Sequence, residues 1–158
     1  LLWAVVLVLQ PGAREIGMQL DLVQTLRTAP PPPIGMQALG RAMATRGHAV
    51  LDGLHFDADG ALLPESEPVL TVVGRFLQAN LRQDFRIVGH TEETESLAGA
   101  ARQSQAQAEA VVSALVERHG ASRDRLRAFG VGPLAPLFPN DAEAARNRNR
   151  RVELVVGP

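Results

Sequence analysis

Residues 86–120 read RIVGHTEETESLAGAARQSQAQAEAVVSALVERHG, and this stretch decides the fold because an apolar segment passes through a polar turn into a long helical pattern. Together with the preceding phenylalanine, the segment FRIV at 85–88 is typical of a strand. Small and then larger residues recur at helical spacing within 97–118, namely Ala101, Ser104, Ala108, Val111, Val112 and Leu115. The small end of this stripe predicts a helix that lies close against a sheet.

Helices and strands are predicted to alternate on both sides of this unit. Upstream, the patterns indicate a helix over 34–46 that stops at Gly47, a strand over 48–56, and a helix that begins at Ser66-Glu67-Pro68. Downstream, they indicate a strand over 125–130, a Pro-rich loop over 132–139, a short helix over 141–147 and a strand over 151–155. Such alternation predicts helices packed on a sheet.

The first 33 residues are predicted to form an extension and a linker. Strand-favouring residues lie on both sides of a turn signal at Pro11-Gly12, so a hairpin within 1–28 is favoured over a signal-peptide remnant, whose positive n-region and cleavage site are missing. A hairpin at the first residue would indicate a fragment of something longer. The prolines of APPPP at 29–33 predict a stiff linker, which places the globular domain at 34–158 and its core at 49–155.

The composition is that of a soluble globular protein and excludes several classes of function. Of 158 residues, 46% are apolar and 21% are charged, which argues against disorder along the whole chain. Sixteen cationic and seventeen anionic side chains give a net charge of −1, so no global charge favours nucleic acid or an anionic membrane. The absence of cysteine excludes disulfides, thiolate metal sites and a cysteine nucleophile.

No motif for catalysis, metal binding or a cofactor is present in the sequence. There is no G-x-S-x-G elbow, no H-E-x-x-H pair, no P-loop and no dinucleotide fingerprint. Asp57-Ala58-Asp59-Gly60 is faintly similar to a calcium loop, but the following positions lack the other oxygen ligands, so a polar turn is the better interpretation. The four histidines lack metal-ligand spacing. The sequence therefore predicts a non-enzymatic protein with neither metal nor cofactor.

Three stretches carry a resemblance to a known family. Residues 51–70, LDGLHFDADGALLPESEPVL, contain an FD turn before a helix; residues 86–120 follow in part the pattern G-H-T-D-x-x-G and N-x-x-L-S-x-x-R-A; residues 125–154 end in R-x-x-N-R-R-V-E. Together they resemble the C-terminal domain of OmpA-like proteins, the periplasmic module that holds bacterial outer membranes to peptidoglycan. The motif residues that match include Gly89, His90, Thr91, Ser104 and Ala108 in the second stretch and Asn140, Arg146, Asn149, Arg150, Arg151, Val152 and Glu153 in the third.

The resemblance implies a fold, a location and a ligand. The fold is α+β, a β-α-β-α-β-β sandwich of helices on a mixed four-stranded sheet, here with the N-terminal hairpin as an extension. The location is the periplasm or the outer membrane of the bacterial cell envelope, with any membrane attachment through a segment outside this chain. The ligand is the zwitterionic diaminopimelate of the peptidoglycan stem: in the family an aspartate takes its ammonium, and an arginine fifteen residues later grips its carboxylate through two hydrogen bonds.

The departures from the family pattern fall on those two positions. The aspartate is Glu92, one methylene longer, and the arginine is Gln107, which offers no charged fork. Losing such a bidentate pair costs about 1.5–3 kcal/mol, roughly one to two decades of affinity. Glu93 and Glu95 beside Glu92 further disfavour a carboxylate ligand, and Arg146 is the remaining candidate cation.

Two hypotheses follow. The first is a non-catalytic envelope domain that binds peptidoglycan weakly through Thr91, Glu92, Gln107 and Arg146, while Gly89, His90, Asn140, Asn149, Arg150 and Arg151 are structural. The second is a scaffold that has lost this ligand and binds an envelope protein through the acidic turn or the N-terminal extension. The glutamates could equally be a solvated turn that favours a helix N-terminus. Nucleic acid is disfavoured as a partner, because the arginines at 146–151 match the family ending and lack interleaved aromatics.

Overall fold

The computed structural model of the chain describes residues 34–93 and 96–157. Helices and strands alternate along them, with bounds α1 Met36–Arg46, β1 His48–Val50, α2 Glu67–Ala79, β2 Phe85–His90, α3 Leu97–His119, β3 Leu126–Gly132, α4 Glu143–Asn149 and β4 Arg151–Val156. Short 3-10 turns at Pro64–Ser66 and Arg123–Arg125 precede α2 and β3.

The strands within these residues form one mixed sheet in the order β1-β4-β2-β3. Strands β2 and β3 run parallel, whereas β4 runs antiparallel to both of its neighbours, β1 and β2. A parallel pair needs a long crossover connection, and α3 provides it. The α+β architecture of helices on a mixed four-stranded sheet is therefore confirmed.

The hydrophobic core lies between one face of this sheet and helices α1, α2 and α3. In the sheet, Ile87 of β2 and Leu154 of β4 are register partners and are fully buried. The helices cover them with apolar side chains that are themselves fully buried, among them Leu39, Leu70, Val73, Val111 and Leu115. Each such side chain stabilises the fold by about 1.5–3 kcal/mol, so this layer fixes the sheet to which the later site is attached.

Helix α3 lies with its backbone against β2 and β3, because the strands carry glycine where the helix crosses them. A Cβ atom added to Gly89 would lie 2.2 Å from the carbonyl oxygen of Ser104, and one added to Gly130 would lie 2.2 Å from the nitrogen of Gln105. Side chains of α3 then hydrogen-bond to the strand backbone. Gln105 Oε1 accepts from the Gly130 N–H at 2.7 Å, and Ser104 Oγ accepts from the Gly132 N–H at 3.0 Å. The predicted close approach of helix and sheet is confirmed.

The prediction of a strand over 48–56 is wrong in its extent. Strand β1 ends at Val50, and the chain then turns at Asp52 and Gly53, where Gly53 has a φ of 95°. Glycine tolerates this left-handed backbone, which other residues rarely adopt. Beyond the turn, Phe56 forms an isolated bridge with Leu62 outside the main sheet. The apolar residues on both sides of Asp52-Gly53 favoured one continuous strand, although the D-G pair itself signals a turn.

Three other predicted elements have boundaries that differ by two residues from the observed ones, and α1 begins at Met36 instead of at residue 34. The short helix covers Glu143–Asn149 instead of 141–147, and the third strand extends to Gly132 instead of ending at 130. The FD turn is a polar turn as predicted, since Asp57 Oδ1 accepts hydrogen bonds from the N–H groups of Asp59 and Ala61.

The predicted hairpin within 1–28 and the linker at 29–33 lie outside the described residues and stay predictions. No helix among the residues that the structure describes has both the length and the apolar character to cross a bilayer.

We expect Gly130→Ala to destabilise the domain by about 3 kcal/mol, because the added methyl meets the backbone of α3, which cannot move without shifting the whole helix. Urea unfolding would measure the loss. The matched control is Gly40→Ala in α1, where the nearest atom to the added Cβ is 4.0 Å away, so this change should stabilise by about 0.5–1 kcal/mol through helix propensity. Equal stability of the two variants would contradict the close approach.

Candidate functional site

The turn after β2 brings Glu92 against the end of α4. Because β2 and β4 are antiparallel neighbours with His90 opposite Arg151, the residues that follow one strand meet those that precede the other. Arg150 Nη1 donates to Glu92 Oε1 at 2.7 Å, and Arg146 Nε lies 3.6 Å from Glu92 Oε2. Glu92 and Arg146, both predicted site residues, thus lie within ion-pair distance, and Arg150 adds a second guanidinium.

Glu143, in the first turn of α4, completes the group. Its carboxylate lies 2.9 Å from Arg146 Nη2 and 3.0 Å from Arg150 Nη2. We refer to Glu92, Glu143, Arg146 and Arg150 as the charge cluster; its two carboxylates and two guanidiniums give a formal charge of zero. Because Glu92 is 25% exposed and Arg150 is 43% exposed, solvent screens the pair, which contributes about 1 kcal/mol or less to stability.

A buried asparagine holds the loop beside the charge cluster. Asn149 is 0% exposed, and its Oδ1 accepts from the N–H groups of Leu137 and Phe138 while its Nδ2 donates to Phe138 O and Asn140 Oδ1. Arg146 Nη1 in turn donates to Asn140 O at 3.0 Å. One side chain therefore satisfies four polar groups of the loop and fixes the backbone carbonyl on which a cluster arginine rests.

His90 lies buried at the end of β2, next to the start of the turn, and is neutral. It is 5% exposed, and its Nε2 is 3.8 Å from Glu153 Oε1, while Arg151 Nε donates to that same carboxylate oxygen at 2.6 Å. Burial and the Arg151 charge lower the pKa of His90 from 6.5 to about 4, although the Glu153 carboxylate opposes that shift. Arg151 thus forms the ion pair with Glu153, and the imidazole of His90 stays uncharged at neutral pH.

Thr91 belongs to the strand end more than to the exposed cluster. Its side chain is 6% exposed, and its N–H donates to Gly132 O at 3.1 Å, which ties the turn to the end of β3. Its Oγ1 has no hydrogen-bond partner among the described residues. Glu93 is exposed, and Glu95 lies outside the described residues.

Gln107 is half-buried on α3 and contacts a different part of the chain. A Cβ added to Gly60 would lie 3.7 Å from Gln107 Cγ, so this side chain packs against the FD turn. Among the described residues it is bonded to neither Glu92 nor Arg146. The structure therefore joins Glu92 with Arg146 and leaves Gln107 unlinked to them; the roles of these residues in binding a ligand stay predictions.

Two members of the charge cluster escaped the sequence analysis. Arg150 was interpreted as structural, and Glu143 was given no role. Arg150 lies beyond the predicted helix over 141–147, so its four-residue spacing from Arg146 did not indicate a shared face. Glu143 lies three residues before Arg146, at the other spacing that brings helical side chains together.

Comparison with known proteins identifies the family. The OmpA family matches residues 55–150 of the chain. The chain belongs to the OmpA family. Membership confirms the expectation of a non-enzymatic module. Among the residues that the structure describes, no group of three or more histidine, aspartate or glutamate side chains could hold a metal ion.

Curated relatives match over much of the chain. The probable lipoprotein YiaD of Escherichia coli K12 is 29% identical over 128 residues, which are 78% of this chain and 58% of that protein. The peptidoglycan-binding protein ArfA of Mycobacterium tuberculosis H37Rv is 30% identical over 141 residues, which are 87% of this chain and 43% of that protein. The chain spans roughly half the length of these two relatives.

Solved structures share the architecture. A MotB-like protein from Desulfovibrio vulgaris is 30% identical with a TM-score of 0.56, covering 64% of this chain and 66% of that one. The peptidoglycan-associated lipoprotein of Burkholderia pseudomallei is 24% identical with a TM-score of 0.59, covering 71% of this chain and 91% of that one. At this lower identity the likeness shows the fold alone.

We expect Asn149→Ala to lower the free energy of unfolding by about 3 kcal/mol, because buried backbone groups of the loop would lose their partners. Thermal or urea unfolding would measure it. Asn147→Ala is the matched control: this side chain is exposed and, among the residues described, accepts a hydrogen bond from Arg150 alone, so the change should cost less than about 0.5 kcal/mol. A small effect at residue 149 would mean that the loop keeps its conformation without the amide.

The neutral His90 should make the domain less stable in mild acid. Its pKa is about 4 in the folded protein and 6.5 when unperturbed. Between these two pH values, His90 is mostly protonated in the unfolded chain and mostly neutral in the folded one. Stability is complete above pH 6.5 and falls as the pH drops towards 4, by up to about 3 kcal/mol. Urea unfolding at pH 7.5 and at pH 4.5 would show a smaller difference for His90→Gln than for the wild type. Equal differences would assign the acid sensitivity to other groups.

Proposed function

We propose that this domain associates with peptidoglycan in the bacterial cell envelope, and that it does so weakly, through the charge cluster. The supporting observation is the position of Glu92, which keeps the family's anion at the turn and faces Arg146 and Arg150. A diaminopimelate stem could place its ammonium on Glu92 and its carboxylate on these guanidiniums. Family membership and the name of ArfA, a peptidoglycan-binding protein, support the same ligand.

Weak binding follows from how the cluster is already paired. Glu92 accepts from Arg150 at 2.7 Å, so an incoming ammonium has to replace an existing ion pair, and the net gain is the difference between two similar interactions. The position fifteen residues after Glu92 adds no charge, because Gln107 is neutral and packs against the FD turn. The ligand therefore has to break ion pairs within the charge cluster before it can form its own, because the cluster offers it no unpaired charges.

The second candidate is a scaffold that no longer binds peptidoglycan. The same observation favours it: when Glu92, Glu143, Arg146 and Arg150 satisfy one another, the cluster needs no ligand to be stable. In that case the cluster serves to hold α4 against the turn after β2, and the partner of the domain is another envelope protein.

Sedimentation with purified sacculi separates the two candidates. If the cluster binds the stem, the wild type pellets weakly, Glu92→Gln does not pellet, and Gln107→Arg pellets about tenfold or more strongly because it restores a charged fork. The matched control is Glu93→Gln, which removes an exposed carboxylate of the same turn and should not weaken pelleting, because Glu93 only repels the carboxylate of the ligand.

Two results would overturn the proposal in different ways. If neither the wild type nor Gln107→Arg pellets, the scaffold candidate is correct. If the wild type pellets as strongly as the peptidoglycan-associated lipoprotein of Burkholderia pseudomallei, binding persists but the argument from the missing arginine is wrong.

A further inference from the structure

The face of the sheet opposite the helices presents its own chemistry. Gly89 and Gly130 point towards α3, so their neighbours Val88 and Phe129 point to the other side. Helices α1, α2 and α3 all pack on the first side, around Ile87. We call the second side the open face; the residues of it that matter here are Arg86 and Val88 of β2, Arg127 and Phe129 of β3, and Val155 and Glu153 of β4.

Two arginines lie side by side on the open face. Arg86 and Arg127 are register partners in the parallel pair β2–β3, whose strands are about 4.8 Å apart. Like charges in this arrangement repel. Neither side chain has a hydrogen-bond or ion-pair partner among the described residues. The pair therefore forms a position where an anion would relieve repulsion and accept several N–H donors at once.

The nearby acids do not neutralise this pair. The carboxylate of Glu153 accepts from Arg151 Nε at 2.6 Å, so it is already engaged. Asp84, just before β2, is exposed and forms no ion pair with Arg86 within the described structure. Arg125, which immediately precedes β3, donates hydrogen bonds from its Nη1 to the backbone carbonyls of Asn80 and Gln83. The end of the open face at Arg86 and Arg127 thus keeps unpaired positive charge.

An apolar position lies next to the two arginines. Phe129 is two residues after Arg127 on the same side of β3 and is 44% exposed, and half-buried Val88 lies beside it in the register. Residues two apart on a strand are separated by about 6.6 Å. A chain lying along β2 and β3 would therefore meet the guanidiniums with one residue and the phenyl ring with the residue two positions on.

We propose that the open face binds an acidic, extended segment of a partner protein, in which Asp or Glu is followed two residues later by an apolar side chain. The carboxylate lies on Arg86 and Arg127, and the apolar side chain packs on Phe129 and Val88. This surface is separate from the charge cluster: Arg86 is at the start of β2, whereas Glu92 follows its end. The proposal for the open face therefore does not depend on whether the domain binds peptidoglycan.

Charge argues against the other occupants. A second copy that docked through its own open face would bring its arginine pair to this one, which repels. An anionic membrane gains only about 1 kcal/mol for each basic residue near its surface, so two arginines hold a membrane poorly. A carboxylate gripped by two guanidiniums beside a phenyl ring gives a peptide both orientation and charge-assisted bonds.

The test peptide carries a fluorescein label and has the eight-residue sequence Ser-Glu-Ser-Leu-Ser-Glu-Ser-Leu. The domain is titrated into this peptide, and binding is followed by fluorescence anisotropy. We expect saturable binding that weakens about tenfold or more in Arg127→Glu, since a charge-assisted pair contributes on that order. Arg75→Glu is the matched control: it makes the same change in net charge at an exposed arginine of α2, on the helix side, that has no partner within the described part of the chain. It should change affinity less than about twofold.

Several outcomes would overturn the proposal. Equal losses in Arg127→Glu and Arg75→Glu would assign binding to net charge alone. Undiminished binding of the peptide with glutamine for glutamate would exclude carboxylate recognition. Binding to phosphatidylglycerol vesicles without binding to the peptide would assign the surface to a membrane. If circular dichroism shows that Arg127→Glu does not fold, Arg127→Gln takes its place and has to weaken peptide binding as well.

Discussion

The close contact between helix α3 and strands β2 and β3 is the constraint on which the rest of the structure depends. Two glycines remove the side chains that would separate helix and sheet, and Ser104 and Gln105 then bond to the strand backbone. This contact sets the direction in which β2 ends, and hence where Glu92 emerges. Because β4 is held to β2 in antiparallel register, the contact also sets the positions of Arg146 in α4 and of Arg150 between α4 and β4. The site is thus assembled by backbone packing, with little help from its own weak ion pairs.

The fold was predictable because its signals are local and redundant. The small-to-large stripe of α3, the strand FRIV and the family ending each indicate the same arrangement, and consistency across levels is what specifies a structure. The prediction of a strand over 48–56 failed because a D-G turn at 52–53 interrupts a segment that has apolar residues on both sides of it. Boundaries depend on such single residues, whereas the existence of an element depends on many.

The candidate site was predictable only in part, for a different reason. Glu92 and Arg146 could be named from the family pattern, and the fold places them 3.6 Å apart. The nearer partner of Glu92, Arg150, and the second acid, Glu143, could not be identified in this way. Whether they join the cluster depends on the directions of their side chains, which sequence spacing does not determine. The burial of His90 could not be predicted either. The sequence pattern of a histidine at a strand end is the same whether the side chain faces solvent or lies beside a paired arginine and glutamate.

The zero net charge of the cluster governs how a ligand would arrive. Two acids and two bases within hydrogen-bond reach of one another cancel their fields beyond a few ångströms, so the cluster projects little potential into solution and cannot draw a zwitterion from a distance. Encounter would then be limited by diffusion and orientation and would change little with ionic strength. A domain of this kind works best where its ligand is already concentrated beside it, as a tethered or repeated polymer is; local concentration replaces electrostatic attraction.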